Sequence, residues 1–242
     1  MKKLIKKTIR FILVPFVLAD YIRYKKKDNK HRFAMPLGDV YPCIKDKTIT
    51  TSFDRHYVYH TSWATRIVKE INPKKHIDIS SSLYFCGILS AFIPVDFYDY
   101  RPAKIELSDL TSKRGDLTEL PFASNSVPSI SCMHTVEHIG LGRYGDPIDP
   151  EGDQKAIAEL KRVTSNGGSV IFVVPIGKPR IAWNAHRIYS YEQIVSAFEG
   201  FKLKEFSFIP EHEDRGGLIR NADPELIKKE DYGCGCFWFI KK

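Results

Sequence analysis

The chain has 242 residues, enough for one α/β domain with a full core plus extensions. Its net charge of +8 sits at one end: residues 1–32 hold 11 Lys and Arg against 2 Asp and Glu, a net of +9, and the other 210 hold 26 against 27, a net of −1. A near-neutral globular part argues against nucleic acid as partner. Five scattered cysteines (Cys43, Cys86, Cys132, Cys234 and Cys236) without a C-x-x-C pair argue against a disulfide framework and for reduced thiols in the cytosol.

Residues 1–32 place an apolar stretch, Phe11–Ala19, between basic runs. It is too short to cross a bilayer, which takes about 20 residues as a helix. Val17-Leu18-Ala19 offers a signal-peptide exit, but Arg23 and Lys25, Lys26 and Lys27 follow, and such a cluster resists translocation. An amphipathic helix on the anionic inner face of the membrane fits better and implies a cytoplasmic, peripherally attached protein. Packing on the domain or on a second subunit is the alternative. The expected division is 1–32 membrane-proximal, 33–72 an N-terminal extension and 73–242 the α/β domain. In the extension, Thr61 or Ser62 is expected to cap a helix through Trp63, Ile67, Val68 and Ile71 that ends at Asn72-Pro73. The aromatic, charged Phe53–Tyr57 run lies ahead of it.

Lys75–Ser80 reads as the first strand and Leu83–Phe92 as the helix after it. The turn between them is Asp78-Ile79-Ser80-Ser81-Ser82, small residues with free N–H groups at a helix start, or simply a helix cap. Pro94–Asp99 reads as the second strand. A ribose calls for a carboxylate about 20 residues beyond such a loop, and Asp99 stands 21 after Asp78. Ile105–Leu110 is expected as the third strand, Pro121 and Pro128 in a loop, and Ile130–Met133 as a buried fourth strand.

His134, Glu137 and His138 follow that strand, where open α/β sheets build their sites. His134 is the first candidate for a general base, with Glu137 beside it. His134 and His138 are four apart and could share a helix face and a metal, a reading ranked below the base; Glu137 and His138 could instead brace the site. Gly140–Pro150 is a Gly- and Pro-rich loop of a kind that covers sites, and it lacks the phosphate-loop pattern. Asp153 is expected to cap a helix through Ala156, Ile157, Leu160 and Val163, closed by Asn166-Gly167-Gly168; Ser169–Val174 is the fifth strand, ended by Pro175. In Trp183–Tyr189, His186 offers a second base, Arg187 an anion clamp, and Asn184 and Trp183 a sugar contact. The alternative is a plain loop before a helix, Tyr191–Phe198, capped by Ser190. Lys202–Ile209 is the sixth strand, Glu211–Glu230 a surface insertion, and Gly233–Ile240 a last strand antiparallel to the sixth. Cys234 and Cys236 could be half of a metal site, but read better as two small apolar residues on one strand face.

The stretch Gly115–Ile139, GDLTELPFASNSVPSISCMHTVEHI, resembles the middle of class I S-adenosylmethionine (SAM)-dependent methyltransferases, with an acidic residue, then LPF…NS, then a strand ending near EH. With SSLYFCGILSAF before it and NAHRIYS after it, the pattern also resembles methyltransferase-like proteins of bacterial surface-polysaccharide clusters. The resemblance implies a doubly wound, Rossmann-like sheet of seven strands with the last antiparallel and helices on both faces, and SAM as cofactor. It implies that Asp116 accepts from the adenine amino group. Asp78, Ser80, Ser81 and Ser82 would stand where the family has its D-x-G-x-G turn at the methionine end, although serine does not tolerate positive φ as glycine does. The implied activity is O-methylation of a membrane-linked glycan or its precursor, with Asn184, Arg187 and His138 on the acceptor. Two alternatives are a non-catalytic partner of polysaccharide-assembly enzymes on the same fold, and a metal-dependent enzyme using His134 and His138.

Overall fold

In the strand Thr164–Gly177, Val170, Phe172 and Val174 belong to one apolar cluster while Ile171 and Val173 belong to a second. Alternation with both sides buried makes this a central strand covered on both faces. The structure, a computed structural model, describes residues 2–44 and 46–242, with side chains from Pro15 onward. Nine strands are described: β1 (His76–Ile79), β2 (Val95–Asp99), β3 (Leu110–Arg114), β4 (Val127–Met133), β5 (Thr164–Gly177), β6 (Arg180–Ala182), β7 (His186–Ile188), β8 (Phe201–Pro210) and β9 (Tyr232–Lys241). Seven form one sheet in the order β3-β2-β1-β4-β5-β9-β8, and β6 pairs with β7 as a separate hairpin. β9 runs antiparallel between β5 and β8, and the other pairings within this sheet are parallel. The doubly wound sheet with its antiparallel last strand is the one expected.

The helices are α1 (Lys2–Lys27), α2 (Arg55–Ile71), α3 (Leu83–Leu89), α4 (Gly152–Val163) and α5 (Tyr191–Ala197). Trp63 and Ile67 of α2 and Phe85 and Leu89 of α3 pack with Cys234, Cys236 and Trp238 in one cluster; Leu160 of α4 and Ile194 of α5 pack with Phe237 and Phe239 in the other. Cys234 and Cys236 thus share a strand face. The chain divides into two compact units, Met1–Phe53 and Asp54–Lys242. In the first, Tyr21 donates to Met35 O at 2.6 Å and Lys47 pairs with Asp20 at 2.7 Å. Residues 11–14 of the expected apolar stretch lie outside the described side chains, and of the rest Phe16 and Leu18 are exposed. Among the described residues no helix is long and apolar enough to cross a membrane.

Several boundaries differ from expectation. α2 begins at Arg55, not after Thr61, because Asp54 caps it by accepting from Tyr57 N at 3.1 Å. The third strand is Leu110–Arg114 rather than Ile105–Leu110. It lies at the sheet edge, and its Lys113 and Arg114 suit an edge that must discourage pairing. Pro128 falls inside β4, at the register shift between Val127 and Ser129. Asp153 does not cap α4, which starts after Glu151; it is buried and accepts from Tyr189 Oη at 3.0 Å. α4 ends at Thr164, and Asn166-Gly167-Gly168 forms an outward loop in β5 opposite that register shift. β5 runs through Pro175 to Gly177. Ser190 and Gln193 form a reciprocal capping box on α5.

Beneath the sheet's carboxyl edge lies a buried polar chain. Ser131 Oγ donates to Asp78 Oδ2, His76 Nε2 lies 2.8 Å from Ser131 Oγ, and His76 Nδ1 lies 2.8 Å from Ser129 Oγ. Since Ser131 spends its proton on Asp78, it accepts from His76 Nε2–H, and Nδ1 accepts from Ser129. Burial pushes His76 down to about 3 and Asp78 up to about 6. His76, depressed from its ordinary 6.5, contributes stability that is present above pH 6.5 and lost as pH falls through 3. Asp78, raised from 3.8, contributes stability that is present below pH 3.8 and lost as pH rises through 6. Between pH 7 and 5 the two oppose, His76 losing about 2 kcal/mol and Asp78 gaining about 1 kcal/mol. His76→Gln keeps a donor for Ser131 and removes the titration. Its unfolding free energy, from urea melts at the two pH values, is expected to shift by about 2 kcal/mol in favour of pH 5 relative to the parent chain. Equal shifts in both proteins would contradict a neutral buried His76.

Candidate active site

A cavity of about 560 Å³ opens at the carboxyl ends of β1 to β5, a volume ordinary for a small-molecule site. Its walls come from successive loops: Ser80 after β1, Asp99 ending β2, Asp116 after β3 and His134 after β4. Because β9 is antiparallel, its first residue, Tyr232, reaches the same rim. The first turn of α2 adds Asp54, His56 and Tyr57.

Two of these loops turn on non-glycine residues in the left-handed region, Ser80 at φ 53° and His134 at φ 55°. Ser80 occupies the first glycine position of the family pattern and adopts the glycine-type backbone that serine was expected to resist. Ser80 N donates to Tyr98 O at 2.8 Å and Ser80 Oγ to the same oxygen at 3.1 Å, which helps offset about 1–2 kcal/mol for the conformation. The two loops are tied together, since Met133 N donates to Ser81 Oγ and Thr135 Oγ1 to Ser80 O.

The expected cofactor carboxylates separate into two kinds. Asp99 and Asp116 line the cavity, and each is oriented by one oxygen. Asp99 Oδ1 accepts from Arg101 N at 2.7 Å, and Asp116 Oδ1 from Thr118 N at 2.8 Å and from its hydroxyl at 2.6 Å. Their second oxygens are left for a ligand. Asp78 is fully buried and spends itself on Ser131 and Ser81 N, so it braces the turn. Ser81 Oγ is likewise taken by Met133 N, Ser82 stands at the N-terminus of α3, and neither lines the cavity.

On the opposite wall, His134 Nδ1 lies 2.9 Å from Glu137 Oε1 and His134 Nε2 lies 3.4 Å from Cys234 Sγ. The His134 ring stacks on His56 at 5.9 Å between centroids, with His60 edge-on at 5.0 Å. Burial opposes the His134 charge, while the Cys234 sulfur and the Glu137 carboxylate raise its proton affinity above the ordinary imidazole value. With both ring nitrogens engaged, His134 is poorly placed as the base first expected there. His138 turns Nδ1 to Ala185 O at 2.6 Å, and among the described residues the metal-ligand group that contains His134 does not include His138. His186 lines the cavity, half-buried, beside Tyr232, and burial lowers it, leaving a neutral imidazole at neutral pH.

Arg187 is not a substrate clamp. It is buried, donates to Ile139 O at 2.6 Å and to Pro150 O at 3.3 Å, and pairs with Asp153 at 3.6 Å, so it pins both ends of the loop over the cavity. Gly140 permits that closure: at φ 79°, a Cβ there would lie 2.0 Å from Asp149 O. Asn184 is exposed in the turn between β6 and β7 and does not line the cavity. The cations that do are Arg101 and Arg143, both over the Tyr144 ring, at 4.6 and 5.0 Å. Sequence reasoning gave neither of them a role in the site. It gave Tyr232 no role, and His56 and Tyr57 only a place in the aromatic Phe53–Tyr57 run, which supplies the first turn of α2.

A family model described as "Caenorhabditis protein of unknown function, DUF268" matches residues 98–220, just over half of the chain. The chain belongs to the DUF268 family. The DUF268 match takes in Asp99, Asp116, His134, Glu137, His138 and His186, and leaves out the serine turn, α2 and β9. No curated protein sequence matches this DUF268 chain. Among solved structures it is similar to the YcgJ protein of Bacillus subtilis, at 13% identity and TM-score 0.54 over 76% of this chain and 98% of that one. It is similar to the geranyl diphosphate C-methyltransferase of Streptomyces coelicolor A3(2), at 10% identity and TM-score 0.51 over 75% and 79%. It is also similar to the [4+2]-cyclase SpnF, at 14% identity and TM-score 0.50 over 74% and 80%. The fold of this DUF268 protein is therefore that of the class I methyltransferases, a fold that also carries cyclase chemistry.

Proposed function

We propose that this protein is a SAM-dependent O-methyltransferase whose acceptor is a hydroxyl of a glycan or glycan precursor. The observation that carries the reading is the pair Asp99 and Asp116, at the ends of consecutive strands, each with one oxygen fixed by the backbone and the other left for a ligand. The donor set fits SAM. Asp99 would accept from the ribose hydroxyls and Asp116 from the adenine amino group, and the left-handed Ser80 turn would let backbone approach the methionine end. When bound, SAM supplies a methyl group on a positively charged sulfur that leaves as a neutral thioether. An acceptor hydroxyl gains that methyl and loses its proton, and His186 takes the proton as general base. The rim supports a polar, sugar-like acceptor, because Tyr57, Tyr144 and Tyr232 offer ring faces and Arg101 and Arg143 offer charge.

The test is transfer of labelled methyl from SAM to hydroxylated sugar acceptors. His186→Gln is expected to keep SAM affinity and lower the transfer rate by about 10²–10⁴-fold. SAM binding without transfer to any acceptor would favour a non-methylating activity on this fold. An unchanged rate in His186→Gln would remove it as the base.

A further inference from the structure

The wall of the cavity opposite Asp99 and Asp116 holds a set of groups that methyl transfer does not use. His56 comes from the first turn of α2, His134 from the loop after β4, and Cys234 from β9. One ligand atom from each lies within 4.8 Å of the others. We propose that His56, His134 and Cys234 bind one divalent transition metal ion of the zinc type, with a fourth position open to the cavity.

Ligand chemistry favours this class of ion, since two imidazoles and one thiolate form a borderline-soft set that suits zinc and not magnesium or calcium. Spacing favours it too. Tetrahedral zinc holds nitrogen and sulfur ligands about 3.6 Å apart, and His134 Nε2 stands 3.4 Å from Cys234 Sγ. Glu137 Oε1, 2.9 Å from His134 Nδ1, fixes the tautomer that leaves Nε2 to face the metal, the carboxylate–histidine arrangement typical around metal sites. On the other imidazole, Glu211 Oε2 lies 3.3 Å from His56 Nε2.

Two buried polar atoms beside the trio lack partners among the described residues. Glu137 is 1% exposed and its Oε2 is unpaired; His60 is fully buried with Nε2 unpaired. His60 Nδ1 lies 2.6 Å from His56 O and donates to it, so Nε2 carries a lone pair with nothing to accept. Leaving such groups unmatched is destabilising, and a cation, or water bound to it, would offset that cost. Coordination sends the Cys234 thiol proton and any proton on His134 Nε2 to solvent. Three protein ligands with one open place make a site able to hold water or an acceptor heteroatom. The proposal rests on this wall alone and does not depend on methyl transfer.

The test uses the full chain, stripped with chelator and reloaded with Zn²⁺ or Co²⁺. Expected are one metal per chain after gel filtration and, with Co²⁺, a thiolate-to-metal charge-transfer band together with tetrahedral visible bands. Both should vanish in Cys234→Ser and His56→Ala while circular dichroism shows them folded, and both should persist in Cys43→Ala and His186→Gln. Glu137→Gln should weaken metal affinity about 10–100-fold. Failure to retain metal, cobalt spectra without the thiolate band, or full retention in Cys234→Ser would overturn the proposal. Titration of SAM into the metal-free chain is scored separately, so either reading can fail alone.

Discussion

Asp99→Ala is expected to weaken SAM binding by about 100-fold or more in calorimetric titration. Its Oδ1 is held by Arg101 N, which aims the carboxylate into the cavity without consuming Oδ2. Two ribose hydroxyls donating to one carboxylate are charge-assisted, at about 1.5–3 kcal/mol each, so losing both removes at least about 3 kcal/mol. At 1.4 kcal/mol per tenfold, that is about two orders of magnitude. The residue is only partly buried at a strand end, so the variant should fold, and unchanged thermal unfolding would confirm it. Parent affinity in the variant would take Asp99 out of the ribose role. An absence of SAM binding in the folded parent would take the cofactor itself out of the reading.

The parts of the fold that sequence reasoning located were those where burial leaves an unbroken apolar run. Ile130–Met133 and Ser169–Val174 sit at the sheet's centre, and side chains alone announce them. β3 was placed too early because an edge strand carries little apolar signal: Thr111, Ser112, Lys113 and Arg114 look like a loop until β2 pairs with them. α2 was started too late because Asp54 caps it through one hydrogen bond to Tyr57 N, and the aromatic residues that follow disguise the first turn. The site was half legible. Asp99 is found by its distance from the first strand, a chain-local rule, and Asp116 by the resemblance that the Gly115–Ile139 stretch carries. Arg187 was misassigned because an arginine at a site edge looks the same whether it holds a ligand or three carbonyls, and only the closed loop of Ile139–Pro150 decides. The pairing of His56 with His134 and Cys234 joins residues 78 and 100 positions apart, and no local pattern carries such a meeting.

The second large effect concerns what holds α2, and therefore His56 and Tyr57, against the sheet. The helix buries His60, Trp63, Ala64, Ile67 and Val68 on one stripe, and its buried polar link to β8 is Trp63 Nε1, which donates to Glu205 Oε1 at 2.8 Å. Glu205 is 6% exposed and also accepts from Ser207 Oγ at 2.7 Å and from Arg220. Burial raises the proton affinity of this carboxyl, but Arg220, Ser207 and Trp63 outweigh it, so Glu205 stays below the usual range and ionised. Arg220 is about half exposed, at 49%, and its share of the pairing is screened by water; the indole N–H and the Ser207 hydroxyl are buried and have no such recourse. Glu205→Ala should therefore cost about 3 kcal/mol, mostly from those two orphaned donors. For a chain of this length that lowers Tm by roughly 6–12 °C in calorimetry. Glu205→Gln keeps an acceptor for Trp63 and should lose about 1 kcal/mol. If the alanine variant melted with the parent, the Trp63–Glu205 contact would not be what seats α2, and the placing of His56 beside His134 would fall to apolar packing and to the contacts of Arg55 with Gly216 and of Glu70 with Lys204.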